Sequence, residues 1–276
     1  MVNIAGAGSE QQQEVLRRFV AACEEDERVV AAFLGGSLAA GRGDEWSDLD
    51  IYVITTDEAF EVFLEGREAF MGRLGEPLFL ESFDISHTLF FVFADGTEGE
   101  LGAASESRFL GMHEGPHRTL VDKKGILDGV DFRGRQASRE EQVETLRRQV
   151  YWFWHDLSHF VTAMGRGQVW WAQGQLEALR GYCVNLARLR HDLADDEAGD
   201  EPYFKVEKAI PVSELAPLQA TFGPMERGAM LQAALVIVEF YREMVPQLAE
   251  RHGIAYPADL ERVMLARLER VRRATG

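Results

Sequence analysis

Apolar residues alternate between strand and helix spacing through the first half of the chain, then settle into helix spacing alone. Ser9 and Gln12 form a capping pair ahead of Val15, Leu16, Phe19, Val20 and Cys23, whose spacing predicts an amphipathic first helix. Val29–Leu34 is an unbroken apolar run, predicted as a buried strand that Gly35-Gly36-Ser37 ends. After a loop over 38–47, the run 48–53 alternates. Asp48, Asp50 and Tyr52 take one face of a strand, and Leu49, Ile51 and Val53 take the other. Asp57 is expected to cap a second helix with an apolar stripe of Phe60, Phe63, Leu64, Phe70 and Met71, ending near Gly75. Strands are predicted over 77–83 and 87–93. Asp95-Gly96 reads as a tight hairpin turn into a return strand over 97–103, and 118–122 as one more strand before a Lys123-Lys124-Gly125 turn.

The stretch 127–137 is glycine-rich and charged, and the domain boundary is placed there, giving domains 1–137 and 138–276. Beyond it Ser138 and Glu141 form a second capping box, and Val143, Leu146, Val150, Phe153, Leu157 and Phe160 carry a helical period to Met164. Gly165-Arg166-Gly167 breaks that helix. Further helices are expected over about 168–191, 213–221, 225–252 and 258–274, with an acidic loop over 192–201. No internal repeat stands out. The fold class expected is α+β: a small mixed-sheet domain followed by an all-α helical bundle.

With 276 residues, 46% of them hydrophobic, the chain can bury a core in each of two modest domains. No run of about 18 apolar residues predicts a membrane helix. The first residues lack the basic head and apolar core of a signal peptide. Cys23 and Cys183 fall in apolar helical patterns and read as reduced core thiols, so the location expected is cytoplasmic. A net charge of −17 and a pI near 4.9 repel a nucleic-acid backbone. The reading is of no nucleic-acid partner, no membrane, and a small acceptor that is the better match if cationic.

The carboxylates of Asp48 and Asp50 point the same way, with Cα atoms roughly 6–7 Å apart on the strand rise. Charges that close repel unless a cation lies between them, and hard oxygen ligands suit magnesium bound together with substrate phosphates. That is a phosphoryl or nucleotidyl transfer arrangement. A bare D-x-D is more often the polar face of an edge strand, but the preceding Gly-Gly-Ser shifts the balance towards a site. On the predicted return strand Glu98 and Glu100 share a face. A third carboxylate there either completes a metal site or takes the proton of an acceptor hydroxyl, the alternative being that both glutamates merely solubilise an edge. Ser37 and the backbone N–H groups of the glycine turn, with Gly36, are placed to hold phosphate oxygens, and Arg42 is the nearest cation.

Gly36-Ser37, a spacer, and Asp48-x-Asp50 resemble the signature of the polymerase-β-type nucleotidyltransferase superfamily. From about residue 10 to residue 272 the chain resembles antibiotic nucleotidyltransferases, in particular the lincosamide enzymes and the aminoglycoside adenylyltransferases. The resemblance carries over residue by residue. Glu100, in GEL, matches the third acid, with Glu98 as the fallback. RTLVDK resembles the segment that closes the catalytic domain. The turn at Gly165-Arg166-Gly167 and the later LARL resemble the lincosamide enzymes, where Arg188 matches a similar arginine. What this implies is a Mg²⁺-dependent transfer of AMP from ATP to a hydroxyl of a small molecule such as a lincosamide or aminoglycoside, with release of pyrophosphate. Two Mg²⁺ ions would sit at Asp48, Asp50 and Glu100, in a site between the domains. Arg180, Lys205 and Lys208 are further basic residues of the second half, each by itself an ordinary surface charge. Trp170, Trp171 and Glu177 offer aromatic planes and a carboxylate to a sugar ring or an amine, with core packing the alternative for each tryptophan.

Other chemistries fit less well. His155 and His159 have a zinc-binding spacing but no evident third ligand, so packed or solvent-facing rings are expected, as for His113 and His117. Ala39 stands where a nucleophile elbow needs glycine, and no Walker A motif is present. The rival reading is a catalytically silent nucleotide-binding or partner-binding protein of the toxin–antitoxin kind on the same fold. A homodimer fits the sequence as well as a monomer does.

Overall fold

The computed structural model describes residues 8–83, 85, 87–134, 136–195 and 201–274. The chain divides into two compact units, Met1–Arg135 and Gln136–Gly276. The first is α/β. Helix α1 (Glu10–Glu25) opens behind Ser9, whose hydroxyl accepts from the Gln12 N–H in a complete capping box. Strand β1 (Val29–Leu34) is buried on both faces. A one-turn helix α2 (Gly36–Ala39) follows where a plain loop was expected. Then come β2 (Leu49–Thr55), α3 (Phe60–Met71), β3 (Pro77–Glu81), β4 (Thr88–Phe93), β5 (Glu98–Ser105), a 3₁₀ turn at Phe109–Gly111 and β6 (Arg118–Asp122).

Among the described residues the six strands form one sheet in the order β3-β4-β5-β2-β1-β6. Every neighbouring pair is antiparallel except β2 and β5, which run parallel. The sheet is therefore mixed, and its parallel pair lies at the centre. One face packs against α1 and α3 through Leu49, Ile51, Val53, Leu101 and Ala103 together with Leu16, Phe19, Phe63 and Phe70. The opposite face carries a smaller cluster of Phe33, Tyr52, Ile54 and Ala104, covered by Phe109, Leu127 and Phe132. Helix α3 begins later than expected, and Asp57 does not cap it. Its carboxylate accepts instead from the Ser107 N–H (3.2 Å) beyond β5, while the Thr56 hydroxyl accepts from the Ala59 N–H (3.3 Å).

The second unit is helical: α4 (Arg139–Gly165), α5 (Val169–His191), α6 (Val206–Ala209), α7 (Val212–Gln219), α8 (Arg227–Arg251) and α9 (Ala258–Arg273). The long α4 starts from the Ser138–Glu141 capping box. It buries Leu146, Val150, Phe153, Trp154, Leu157 and Phe160, and the Phe153 ring stacks on Tyr241 of α8 at 3.8 Å. Short α6 carries no usable periodicity and was not foreseen. Five residues of the expected acidic loop, 196–200, lie outside the described residues. Both cysteines are free and buried, and burial pushes both thiols well up. Among the described residues no helix is long and apolar enough to cross a membrane.

Candidate active site

The parallel pairing of β2 with β5 sets Asp50 directly beside Glu100. Paired residues on adjacent strands point to the same side, so two carboxylates from distant parts of the chain meet on the face opposite α1 and α3. Asp48 sits just before β2, exposed, and adds its charge to theirs. Burial, then Asp48, then Glu100 push the Asp50 carboxyl up to about 7. Glu98, two residues nearer the hairpin turn, is exposed.

Glycines let the backbone approach these acids. The Gly35 N–H donates to the Asp50 carbonyl (2.8 Å), and Gly36 has φ +60. A Cβ at Gly36 would stand 1.6 Å from Asp50 Oδ2, so the turn after β1 lies hard against the carboxylate and only glycine fits. The Ser37 hydroxyl, in the first turn of α2, donates to Ser47 Oγ (3.0 Å). Gln12 also reaches this loop, donating to the Ser47 carbonyl. Arg42 is exposed and has no side-chain partner among the described residues. Arg118, on β6 opposite Leu34, donates to the Leu38 carbonyl (3.2 Å) and so brings a second cation to the glycine turn.

Tyr52 organises the far side of the acids. Its hydroxyl donates to Glu100 Oε1 (3.0 Å), and its ring stacks on Phe33 at 4.7 Å. Gly102 makes room for that ring, since a Cβ there would come within 2.6 Å of it. Burial, with the Glu100 charge next, pushes the Tyr52 phenol up, so it stays a donor. The His113 ring lies 4.9 Å from Tyr52 and joins Gly36, Asp50, Tyr52 and Glu114 around a recess of about 380 Å³. Its Nε2 is 3.1 Å from the Pro116 carbonyl, and His117 packs edge-on against Phe132. Both histidines are thus packed, as the sequence suggested. Tyr52 and Arg118 were not singled out as site residues, and His113 was weighed only as a packed or solvent-facing ring. Tyr52 had left a signal, since it shares the strand face of Asp48 and Asp50.

The donor set suits a divalent hard cation such as Mg²⁺: all oxygen, clustered, and mutually repulsive to a degree that a cation would offset. The cationic and aromatic candidates of the second half fare differently. Arg188 is 2% exposed, pairs with Asp195 (3.1 Å) and donates to the Phe204 carbonyl inside its own unit, so a phosphate contact from it is not what this arrangement offers. Its charge sits at the buried end of α5, where interior partners neutralise it. Arg180 is buried against Thr221 and Glu177, so the Glu177 carboxylate is partly committed to an ion pair. The tryptophans are not core residues. Trp170 is 84% exposed, and Trp171 is exposed beside the His159 ring at 5.8 Å.

The model of a family described as streptomycin adenylyltransferase matches residues 9–271. Solved structures that resemble the chain include an aminoglycoside 6-adenyltransferase from Bacillus subtilis, at 13% identity over 96% of this chain and 99% of that one, with a TM-score of 0.41. A comparison with curated proteins finds no match.

Two outcomes follow from this geometry. Gly36→Ala should destabilise the protein by more than Gly41→Ala, measured by urea unfolding. Both sites have positive φ and lose about 1 kcal/mol for that alone, but the Gly41 Cβ would meet open space and the Gly36 Cβ would meet Asp50. The second concerns pH. An aspartate titrates near ~4 when unfolded, and Asp50 at about 7 in the fold, so the metal-free native state holds the extra proton between those values. Its stability therefore falls as pH rises through that window. Asp50→Asn should flatten that fall and raise metal-free stability at pH 8 by about 1–3 kcal/mol.

Proposed function

The chain belongs to the streptomycin adenylyltransferase family, and we propose that it moves AMP from ATP to a hydroxyl of a small cationic acceptor of the streptomycin class, releasing pyrophosphate. Adenylyl transfer itself follows from family membership. The observation that carries the rest is the Asp50–Glu100 pair, side by side on parallel strands and pressed against the Gly36 turn.

Asp48, Asp50 and Glu100 would hold two Mg²⁺ ions. When bound there, the metal would supply charge neutralisation for the triphosphate and acidify the acceptor hydroxyl. Gly36 lets the backbone come close to the phosphates, and Ser37 offers its hydroxyl to a phosphate oxygen. Two cations of this unit stand at that turn: Arg42, whose backbone N–H donates to the Ser37 carbonyl, and Arg118, which donates to the Leu38 carbonyl. Glu100 accepts the proton of the acceptor hydroxyl or completes the metal site, and the Tyr52 hydrogen bond at Oε1 fixes which way it faces. Most of the acceleration in such a transfer comes from positioning and charge neutralisation. The α/β domain, 1–137, performs the chemistry, and the helical domain, 138–276, contributes acceptor contacts, with Trp170, Trp171 and Glu177 as its candidates. A net charge of −17 favours a cationic acceptor over an anionic one.

Pyrophosphate release with ATP and Mg²⁺, screened against streptomycin, other aminoglycosides and lincosamides, tests this directly. Wild type should turn over at least one of these acceptors. Asp50→Asn should lose at least about 10³-fold in kcat with its circular dichroism intact. Tyr52→Phe should lose about tenfold in kcat with KM for ATP nearly unchanged, the pattern of a positioning residue. Turnover of the Asp50 variant at the wild-type rate would remove the acids from the mechanism.

A further inference from the structure

Helix α4 carries a second group of metal-type ligands, in the unit that lacks the acids. His155 and His159 are one helical turn apart and share a face. The sequence offered them no third ligand. The structure does. Asp156 leans to the same side, so that His155 Nδ1 lies 2.9 Å and His159 Nδ1 3.8 Å from its Oδ1. One ligand atom from each of the three residues lies within 4.8 Å of the other two. We propose that His155, Asp156 and His159 bind a transition-metal ion of the zinc class, independently of the adenylyl-transfer site.

Geometry supports this reading first. An ion about 2.0–2.2 Å from two imidazole nitrogens and a carboxylate oxygen needs those atoms roughly 3–3.6 Å apart. Here the ligand atoms lie within 4.8 Å of one another, so binding would draw the widest pair together by up to about 1–2 Å, through rotation of the two half-exposed imidazoles. The neighbours fit as well. Tyr182 of α5 donates its hydroxyl to Asp156 Oδ2 (3.0 Å), which orients the carboxylate and leaves Oδ1 turned to the rings. An outer hydrogen bond of this kind commonly accompanies a metal-binding carboxylate. Access is open, since the His155 and His159 side chains are 51% and 42% exposed while Asp156 is 15% exposed. Trp152 packs edge-on to His155 at 4.7 Å, and Trp171 stands beside His159, so an aromatic wall flanks each ring.

The chemistry selects the ion. Two imidazoles and one carboxylate suit Zn²⁺, Co²⁺, Ni²⁺ or Cu²⁺, whereas Mg²⁺ prefers oxygen alone. The site is therefore distinct in kind from the carboxylate cluster of the α/β unit. Three protein ligands leave at least one position for water or an outside ligand. Through Asp156 and Tyr182, a bound ion would also brace α4 against α5.

The test uses the full chain without an affinity tag, stripped of metal and held in excess Mg²⁺ so that the carboxylate cluster is saturated. Titration with Zn²⁺ by calorimetry should show one ion bound with Kd of about 1 μM or tighter. Co²⁺ should give d–d absorption bands and quench tryptophan fluorescence from Trp152 and Trp171. The double variant His155→Ala/His159→Ala should weaken Zn²⁺ binding at least about 100-fold, and Tyr182→Phe about tenfold. Because both rings are half-exposed, the double variant should keep its circular dichroism and melting temperature. Asp50→Asn should bind Zn²⁺ as wild type does. Wild-type binding weaker than about 1 mM, or equal binding by wild type and the double variant, would overturn the assignment. So would loss of the Co²⁺ bands in Asp50→Asn.

Discussion

Repulsion among carboxylates sets the terms for the α/β unit. Asp50 and Glu100 lie in neighbouring register positions and Asp48 adds a third charge; burial first, and then the charges of Asp48 and Glu100, push the Asp50 carboxyl up to about 7. A free chain would relieve such crowding by moving apart. Here the strands cannot move, because the reverse faces of the same residues' neighbours are locked into the helix-covered core. Leu49, Ile51, Val53, Leu101 and Ala103 alternate with the site residues and are all buried. A slip of one residue between β2 and β5 would drive the acids into that core and expose the aliphatic side chains, so hydrophobic burial fixes the register that the charges oppose.

The same logic explains what could be read from the chain. Strands β1 and β6 match their expected spans, Val29–Leu34 and Arg118–Asp122, because a two-sided apolar run and a short β-branched and apolar run ended by a turn are local signals. The capping boxes at Ser9 and Ser138 are equally local, two side chains exchanging bonds across one turn. The facing of Asp48 with Asp50 follows from strand period alone. That Glu100 stands beside Asp50 does not, since it depends on a parallel pairing across α3 and the β3–β4 hairpin, and spacing within one strand carries no such information. A resemblance pointed to Glu100 over Glu98, and the register is consistent with it.

Where the sequence misled, the cause was a partner out of sight. Asp57 has the identity of a helix cap but accepts from Ser107, fifty residues on, and α3 starts from Ala59 with no side-chain cap, the Thr56 hydroxyl holding the turn before it. Arg188 resembles a phosphate ligand but gives its two terminal nitrogens to Asp195 and the Phe204 carbonyl, its buried Nε having no hydrogen-bond partner among the described residues. A buried guanidinium with such partners is costly to withdraw, which makes it a poor hand to offer a substrate. For Trp170 and Trp171 only the core-packing alternative fails. Large aromatic residues on a predicted helix are usually core, yet Trp154 alone fills that role here while Trp170 and Trp171 stay outside. The His155–Asp156–His159 cluster was hidden for a different reason, because adjacent residues on a helix do not normally share a face and only the side-chain rotamer brings Asp156 across.

Electrostatics also constrains how a nucleotide can meet this face. Three carboxylates in a chain of net charge −17 repel an approaching triphosphate, and the nearest cations of the glycine turn are few. Arg118 is anchored to the Leu38 carbonyl and Arg42 lies out in solvent. At an effective dielectric near ~20, two unit charges at ~4 Å interact by about 4 kcal/mol, far more than an exposed arginine returns. An anion is therefore held here only if its own counter-ions arrive with it. On the proposed reading the species that binds is the metal–nucleotide complex, and the crowded acids act as a filter against bare phosphates as well as a seat for the cation. The glycine at position 36 belongs to that filter, since it allows the turn to close against Asp50 and leaves the carboxylate little freedom to swing away.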